Sequence, residues 1–371
     1  MKNIKPLLIA VSLFCTEAAS AQFRKYSNEF LNIGAGARGL SMGSAQVATV
    51  DDATAGYWNP AGLVNVKEQP QVALMHAEYF AGIGKYDFGT LAVPTKNGKR
   101  TIGISVVRFA VDDIPNTVFL VAPDGSVDFD KVTSFSAQDY AFIFSLAQKI
   151  KTKGNNQLSF GINTKIIHRT AVYATAWGFG FDAGIQYTGR NWKLGVMARD
   201  VTTTFNAWSF SIPEDVAEVF YRTKNDIPVK STELTAPKLI AGGAYNFKIN
   251  NSVNLLAEAN VDFTFDGKRN TLISADPVSA DPKLGLEFNI NNVFYLRAGI
   301  NNFQRALADG DTLNQKKVWI YQPGGGAGFR IQNVTIDYAF TNLANQSNPL
   351  FTHVFSLRLN LVNDQNRNKK K

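Results

Sequence analysis

The sequence predicts an all-β chain: a fourteen-stranded antiparallel transmembrane β-barrel, preceded by a short N-terminal plug containing small helices. Three observations predict it. Charged residues are 18% of the 371, below the ~25% usual in soluble chains, while aromatics reach 12% and glycines number 29. Mean hydropathy is only -0.11, and beyond residue 21 no apolar run approaches the ~20 residues a spanning helix needs. Apolar and polar residues instead alternate with period two, so each strand turns one face to lipid and one to water. With 45% hydrophobic residues, disorder is excluded.

Residues 1–21 read as a secretory signal peptide. Lys2 and Lys5 supply a positive start, Leu7 to Phe14 an apolar stretch too short to span, and Ala19-Ser20-Ala21 a small-x-small cleavage site before Gln22. Phe14 stands where a lipoprotein signal carries a small residue, so Cys15 is not read as a lipid anchor. Cleavage removes this only cysteine, and with it any disulfide or thiolate chemistry. The formal net charge is +8. Arg367, Lys369, Lys370 and Lys371 concentrate it in a basic tail, 363–371, and no nucleic-acid partner is expected from the mildly basic remainder.

The barrel is read over 71–362. Leu284, Leu286, Phe288 and Ile290 alternate with Gly285, Glu287 and Asn289; Phe355, Leu357, Leu359 and Leu361 alternate with Ser356, Arg358 and Asn360. Fourteen such segments, mostly 8 to 12 residues long, match the ~9–11 residues of a tilted transmembrane strand. A bulge is expected at Val106-Val107, where alternation fails. Tight turns at Asn97-Gly98, 154–156, 189–191, Asn250-Asn251, Asn291-Asn292 and Gln332-Asn333 alternate with longer loops around 110–138, 201–237, 265–282, 301–323 and 341–351. That pattern, with an even strand count, predicts an outer-membrane location with both termini periplasmic. Tyr86, Trp177, Tyr187 and Trp192 at strand ends are expected in the interfacial girdles.

The polar faces carry Lys165, Asp182, Lys193, Arg199, Glu258, Asp262, Glu287, Arg297, Asp337 and Arg358. Mixed signs predict a paired network inside the lumen, since isolated buried charges are costly. A one-sign selectivity ring is not expected.

Residues 22–70 form the expected plug. Gly34-Ala-Gly36-Ala-Arg-Gly39 is a formal GxGxxG, but Asp51 and Asp52 come too early for a ribose-binding acid and no βαβ unit follows. Its glycines are read as sites of close backbone packing. Further on, Asp51 or Asp52 is expected to cap a short helix over 53–58, Pro60 to end it, and Gly62 to reverse the chain toward the first strand. Asp51, Asp52, Trp58, Asn59, Pro60 and Gly62 are the candidate plug motif.

The stretch Gly-Ala-Arg-Gly-Leu-Ser-Met-Gly43 followed by Asp51-Asp-Ala-Thr-Ala-Gly-Tyr-Trp58-Asn-Pro-Ala-Gly-Leu63 resembles the front end of the FadL-type outer-membrane barrels, in particular their PorV/PorQ branch from the type IX secretion system. The resemblance spans the mature chain. It implies a partner-binding barrel that engages a translocon barrel and/or secreted cargo proteins. The polar tail after Leu361 departs from FadL, which ends close to its last strand with a terminal aromatic.

No enzymatic chemistry and no cofactor are expected. His76, His168 and His353 lack metal-ligand spacing, no GxSxG elbow occurs, and the pairs Asp128/Asp130 and Asp309/Asp311 form no EF-hand pattern. Loop 201–237 carries Phe205, Trp208, Phe210, Val219, Phe220 and Tyr221, many large apolar groups for a wet loop, and these are the candidate partner-binding residues. The alternative is a FadL-like channel for long-chain fatty acids or other hydrophobic small molecules, with the same aromatics lining a pocket. Outer-membrane lipid is the remaining expected partner.

Overall fold

The computed structural model describes residues 22–23, 27–150, 156–307, 316–342 and 351–361. The expected signal peptide, the basic tail, the 154–155 turn and the Asp309/Asp311 pair lie outside them. Fourteen strands build the barrel: β1 Gln71–Tyr79, β2 Gly84–Pro94, β3 Arg100–Asn116, β4 Thr133–Ile150, β5 Gln157–Ala171, β6 Ala174–Thr188, β7 Trp192–Arg199, β8 Lys238–Lys248, β9 Val253–Thr264, β10 Ser279–Ile290, β11 Phe294–Leu307, β12 Lys317–Ile331, β13 Val334–Asn342 and β14 Phe351–Asn360. Each pairs antiparallel with its neighbour in this order. β14 returns to β1, with Phe355 opposite His76, and the sheet closes. Closure satisfies the backbone that a membrane cannot hydrate. The Leu361 amide donates to the Pro70 carbonyl at 2.8 Å, so the barrel begins and ends at one rim, the rim of the short turns.

Alternation sorts the side chains as expected. Leu74, Ile104, Phe144, Ile162, Ile185, Leu194, Leu286, Leu296, Ile336 and Phe355 point outward and are exposed, a continuous apolar band far larger than a soluble protein tolerates. Trp177 and Trp192 lie on this outer surface, and Tyr187 stacks on Trp192 at 4.8 Å. Tyr86 does not join them. It points inward and is fully buried, because the inner faces of β1–β5 are not wet: they carry Met75, Phe88, Val107, Ile143 and Ile167 in one apolar core with the plug. The same fact corrects the expected bulge. β3 pairs regularly with β4 through Val106 and Val107, one facing out and one facing the plug; the register shifts later, between Val111 and Ile114, where Asp113 has φ 56°.

Two links at the far rim, 80–83 and 172–173, are as tight as turns, so short and long connections do not strictly alternate. The other loops are shorter than expected, because strand pairing continues beyond the apolar band, where both faces are wet and alternation is no longer imposed. The 201–237 region changes most. β7 breaks at 200–203 and resumes as Thr204–Phe210, still paired with β6 through Trp177 and Ala207. Ser231–Thr235 pairs with it and leads into β8. Four residues thus face two, Ala236 and Pro237, a wide bulge that Asp200 and Thr203 turn at φ 57° each. The outer edge of Ser231–Thr235 pairs in parallel with Gln22–Phe23.

Candidate functional site

Residues 27–66 fill the short-turn half of the lumen with two short helices, α1 Ala37–Ser41 and α2 Ala55–Trp58, and two 3-10 turns, Glu29–Asn32 and Pro60–Asn65. Gly34 and Gly36 have φ 113° and 80°, and Gly39 lies against the Trp58 ring, so the GxGxxG glycines serve packing. Tyr57 pins this corner: its hydroxyl accepts from the Gly34 amide at 2.9 Å and donates to the Leu31 carbonyl at 2.5 Å. Trp58 Nε1 donates to the Ala35 carbonyl at 2.8 Å.

The motif residues come together here, in roles that differ in detail from those expected. Thr54, not an aspartate, occupies the cap position of α2, and Asp52 instead accepts from the Thr54 amide at 2.9 Å while pairing with Arg358. Burial raises the Asp52 pKa, but Arg358, Arg38 and the Thr54 hydrogen bonds outweigh it and hold the carboxyl below its ordinary range. Asn59 caps the next turn through the Ala61 amide, and its Nδ2 reaches the carbonyls of Val47 and Ile185 at 2.9 and 3.1 Å. Pro60 opens that 3-10 turn at its first position, which suits a residue without an N–H. Gly62 lies inside the turn and makes no reversal; a Cβ there would strike the Val50 carbonyl. Asp51 sits at the plug's edge near Arg38 (3.5 Å) and Lys193 (3.8 Å).

The wall is cut to this plug. A Cβ on Gly161 would overlap Pro60, on Gly195 Val47, on Gly285 Met42, and on Gly299 the Met42 and Gly43 backbone. Charge finishes the fit on the β5–β14 side. Glu287 binds Arg38 of the plug at 2.9 Å and Arg297 of the wall at 2.6 Å, and Arg297 continues to Asp337 at 2.7 Å. Glu258 accepts from the Ala48 amide at 2.8 Å and from Thr49 Oγ1. Arg199 donates to the carbonyls of Leu31 and Tyr57 at 3.1 and 3.0 Å. Lys165 joins Asp182 (2.7 Å) and Asp200, filling the bulge in the wall. The paired lumen network expected from the mixed signs is present. Arg38 and Tyr57 were not singled out in the sequence, since both sit in a stretch without periodicity.

Above the plug lies a cavity of about 580 Å³ with two unlike sides. Ile33, Leu40, Tyr57, Trp58, Tyr79 and Phe80 form an apolar and aromatic side. Arg199, Lys238, Asp262, Asp281, Lys283 and Asn301 form a polar one. A smaller pocket shares Arg199, Lys238 and Thr264 with it and extends to Asp200, Thr235 and Ala236 at the strand break. No group of three or more His, Cys, Asp or Glu residues placed to hold a metal occurs among the described residues.

The six aromatic and apolar residues of 205–221 do not form one patch. Phe205 continues the outer wall, 42% exposed. Trp208 is on the opposite face of the same strand, where its Nε1 donates to Glu233 at 2.9 Å under the Arg169 guanidinium, and Phe210 stacks beside it. Val219, Phe220 and Tyr221 ride on α3, Glu214–Arg222, which turns Val216 inward and leaves Tyr221 73% exposed. Arg222 donates to the Val121 carbonyl at 3.3 Å and ties α3 to the 117–132 loop.

No protein-family model and no curated protein matches the chain. Solved structures do. The Ralstonia pickettii toluene transporter TbuX superposes with a TM-score of 0.55 at 14% identity, covering 89% of this chain and 99% of its own. The fold is that of the FadL-like outer-membrane barrels. The monoaromatic hydrocarbon channel CymD matches with TM-score 0.55 at 12% identity over 89% of this chain and 98% of its own. The Pseudomonas putida toluene transporter TodX matches with 0.55 and 12% over 88% and 98%. Identities this low establish the shared architecture and nothing finer.

Proposed function

We propose that this chain is a non-enzymatic outer-membrane channel of FadL-like build, termini in the periplasm, that takes up a small hydrophobic or amphipathic molecule. The observation that carries the reading is the two-sided cavity between the plug and the far rim. A pocket of this size, with an aromatic and apolar part and a larger polar and charged part, suits a ligand with an apolar body and a polar head. The toluene transporters and the hydrocarbon channel of the same architecture support it. The plug is fixed by backbone contacts and ion pairs, so onward passage requires either the plug or the Lys165–Asp182–Asp200 cluster in the 200–203 break to move.

A second reading follows from the 51–63 stretch: a type IX secretion component that binds the translocon barrel and/or secreted cargo, with the exposed end of α3 around Tyr221 as contact surface. One experiment separates the two. The protein, tagged after Lys371, is extracted gently from native membranes and analysed by native mass spectrometry, with an unrelated barrel as control. The channel reading predicts the barrel alone carrying a small molecule that is lost when Leu40→Trp fills the cavity. Specific recovery of a giant barrel or secreted proteins, with no small molecule, overturns it in favour of the second.

A further inference from the structure

On β1–β3 the lipid-facing wall carries charge inside the apolar band. The chain neighbours Met75, Ala77, Tyr86, Phe88 and Val107 are buried against the plug, so parity turns His76, Asp87 and Arg108 outward. These three stand directly opposite one another across the strands. The His76 and Asp87 side chains are 55% and 39% exposed, and that of Glu78, two residues above His76, is 60% exposed. His76 Nδ1 lies 2.7 Å from Asp87, while Arg108 donates to Asp87 at 2.9 Å and to the Tyr140 hydroxyl at 3.1 Å.

The row to which they belong gives their depth. From His76 the cross-strand register runs through Asp87, Arg108, Tyr140 and His168 to Trp177. Because the strands tilt, the row climbs: Trp177 is eleven residues from the short-turn end of its strand at Thr188, His76 only five from Gln71. At about 2.5 Å of height per residue in a strand tilted ~40°, Trp177 sits about 28 Å above the short-turn rim, His76 about 13 Å, Glu78 and Asp87 about 18 Å and Arg108 about 20 Å. Tyr187 and Trp177 mark the two girdles, so the cluster lies at heights where β5 and β6 present Ile162 and Phe181 to lipid.

Charge on a lipid-facing strand costs most near the bilayer centre. Headgroups drawn down to His76 would also wet Phe355, directly opposite it, and Phe142, which stacks on Tyr140 at 6.3 Å. A protein surface covers the cluster without that cost, and the order of the charges fits a second copy of this chain. A two-fold axis along the membrane normal beside β2 brings β1 of one barrel against β3 of the other. Glu78 then meets Arg108 of the second copy at nearly the same height, and the flanking Phe355 faces Phe142. Asp87, next to the axis, is already held by its own His76 and Arg108. We propose that the outer face of β1–β3 is the interface of a homodimer in the membrane, joined by reciprocal Glu78–Arg108 pairs. The inference is independent of what the cavity binds.

The test produces two differently tagged copies of the full protein together and extracts them from the membrane, with their lipid, by an amphipathic copolymer. Particles are recovered through one tag, and the other tag and the particle mass are read. Two copies per particle are expected. Glu78→Arg in both copies is expected to cut co-recovery at least roughly tenfold, and Arg108→Glu in both likewise, because each sets like charges against each other. Pairing a Glu78→Arg copy with an Arg108→Glu copy is expected to restore it, since every junction then joins opposite signs. An Arg108 that serves only its own Asp87 and Tyr140 gives no such rescue between copies. Should Arg108→Glu not fold, Glu78→Arg, made on an exposed side chain, still decides through its own loss of co-recovery. Single copies only, or association indifferent to Glu78→Arg, overturns the homodimer. So does a different protein held at this face and released by Glu78→Arg.

Discussion

Arg297→Met is expected to destabilise the barrel by about 3–5 kcal/mol, the cost of leaving a buried ionic cluster short of one partner. The Arg297 side chain is 2% exposed, lies between Glu287 and Asp337 at 2.6 and 2.7 Å, and rests over the Tyr295 ring at 5.1 Å. Without it two carboxylates face each other in the lumen, with only Arg38 left to hold Glu287. The loss is read as a fall in the temperature at which the folded, fast-migrating band converts to the unfolded one on electrophoresis. Adding Asp337→Asn to Arg297→Met is expected to restore much of the stability, since Glu287 keeps Arg38 as its partner and the uncompensated charge is removed. A change under about 1 kcal/mol for Arg297→Met alone would mean that water reaches the cluster and the plug does not seal it.

The second large effect concerns the wall glycines. Gly299→Ala drives a methyl into the backbone of Met42 and Gly43, and Gly195→Ala drives one into the Val47 carbonyl. Overpacking commonly costs about 1–3 kcal/mol per site. Here the upper end or beyond is expected, because the obstructing atoms are main chain and no rotamer relieves them. The double variant is expected to unseat the plug, exposing 27–66 to limited proteolysis while the strands stay protected. Gly89→Ala is the control: it faces outward, its new methyl meets Leu74 at an ordinary 3.5 Å, and it is expected to be nearly neutral. Equal protease resistance in both variants would show that the plug adapts freely and is not built into the wall.

The strands were legible because lipid on one side and a filled lumen on the other impose strict alternation, and Glu287, Arg297 and Asp337 could be assigned to the inner face by parity alone. Legibility failed where the inner face was itself apolar. Val106-Val107 looked like a fault in the pattern and Tyr86 like an interfacial aromatic, yet both follow from the plug packing on β1–β5. The continuation of β7 as Thr204–Phe210 was hidden by its place after a bulge: Phe205, Trp208 and Phe210 read as loop aromatics although they belong to a strand, Phe205 on one face and Trp208 and Phe210 on the other. The contacts that define the site were beyond reach, since Arg38 meets Glu287 and Asp52 meets Arg358 across most of the chain. The cavity draws its polar side from β7 to β11, and no local stretch encodes that gathering.

The barrel is closed by its own N-terminal segment, with a cavity of about 580 Å³ above the closure. Ion conductance of the purified protein in planar lipid bilayers tests it most directly. The structure predicts no steady current for the native barrel and well-resolved openings once the Gly195→Ala, Gly299→Ala pair displaces the plug. A stable, large conductance from the unaltered protein would mean that the segment leaves the lumen open.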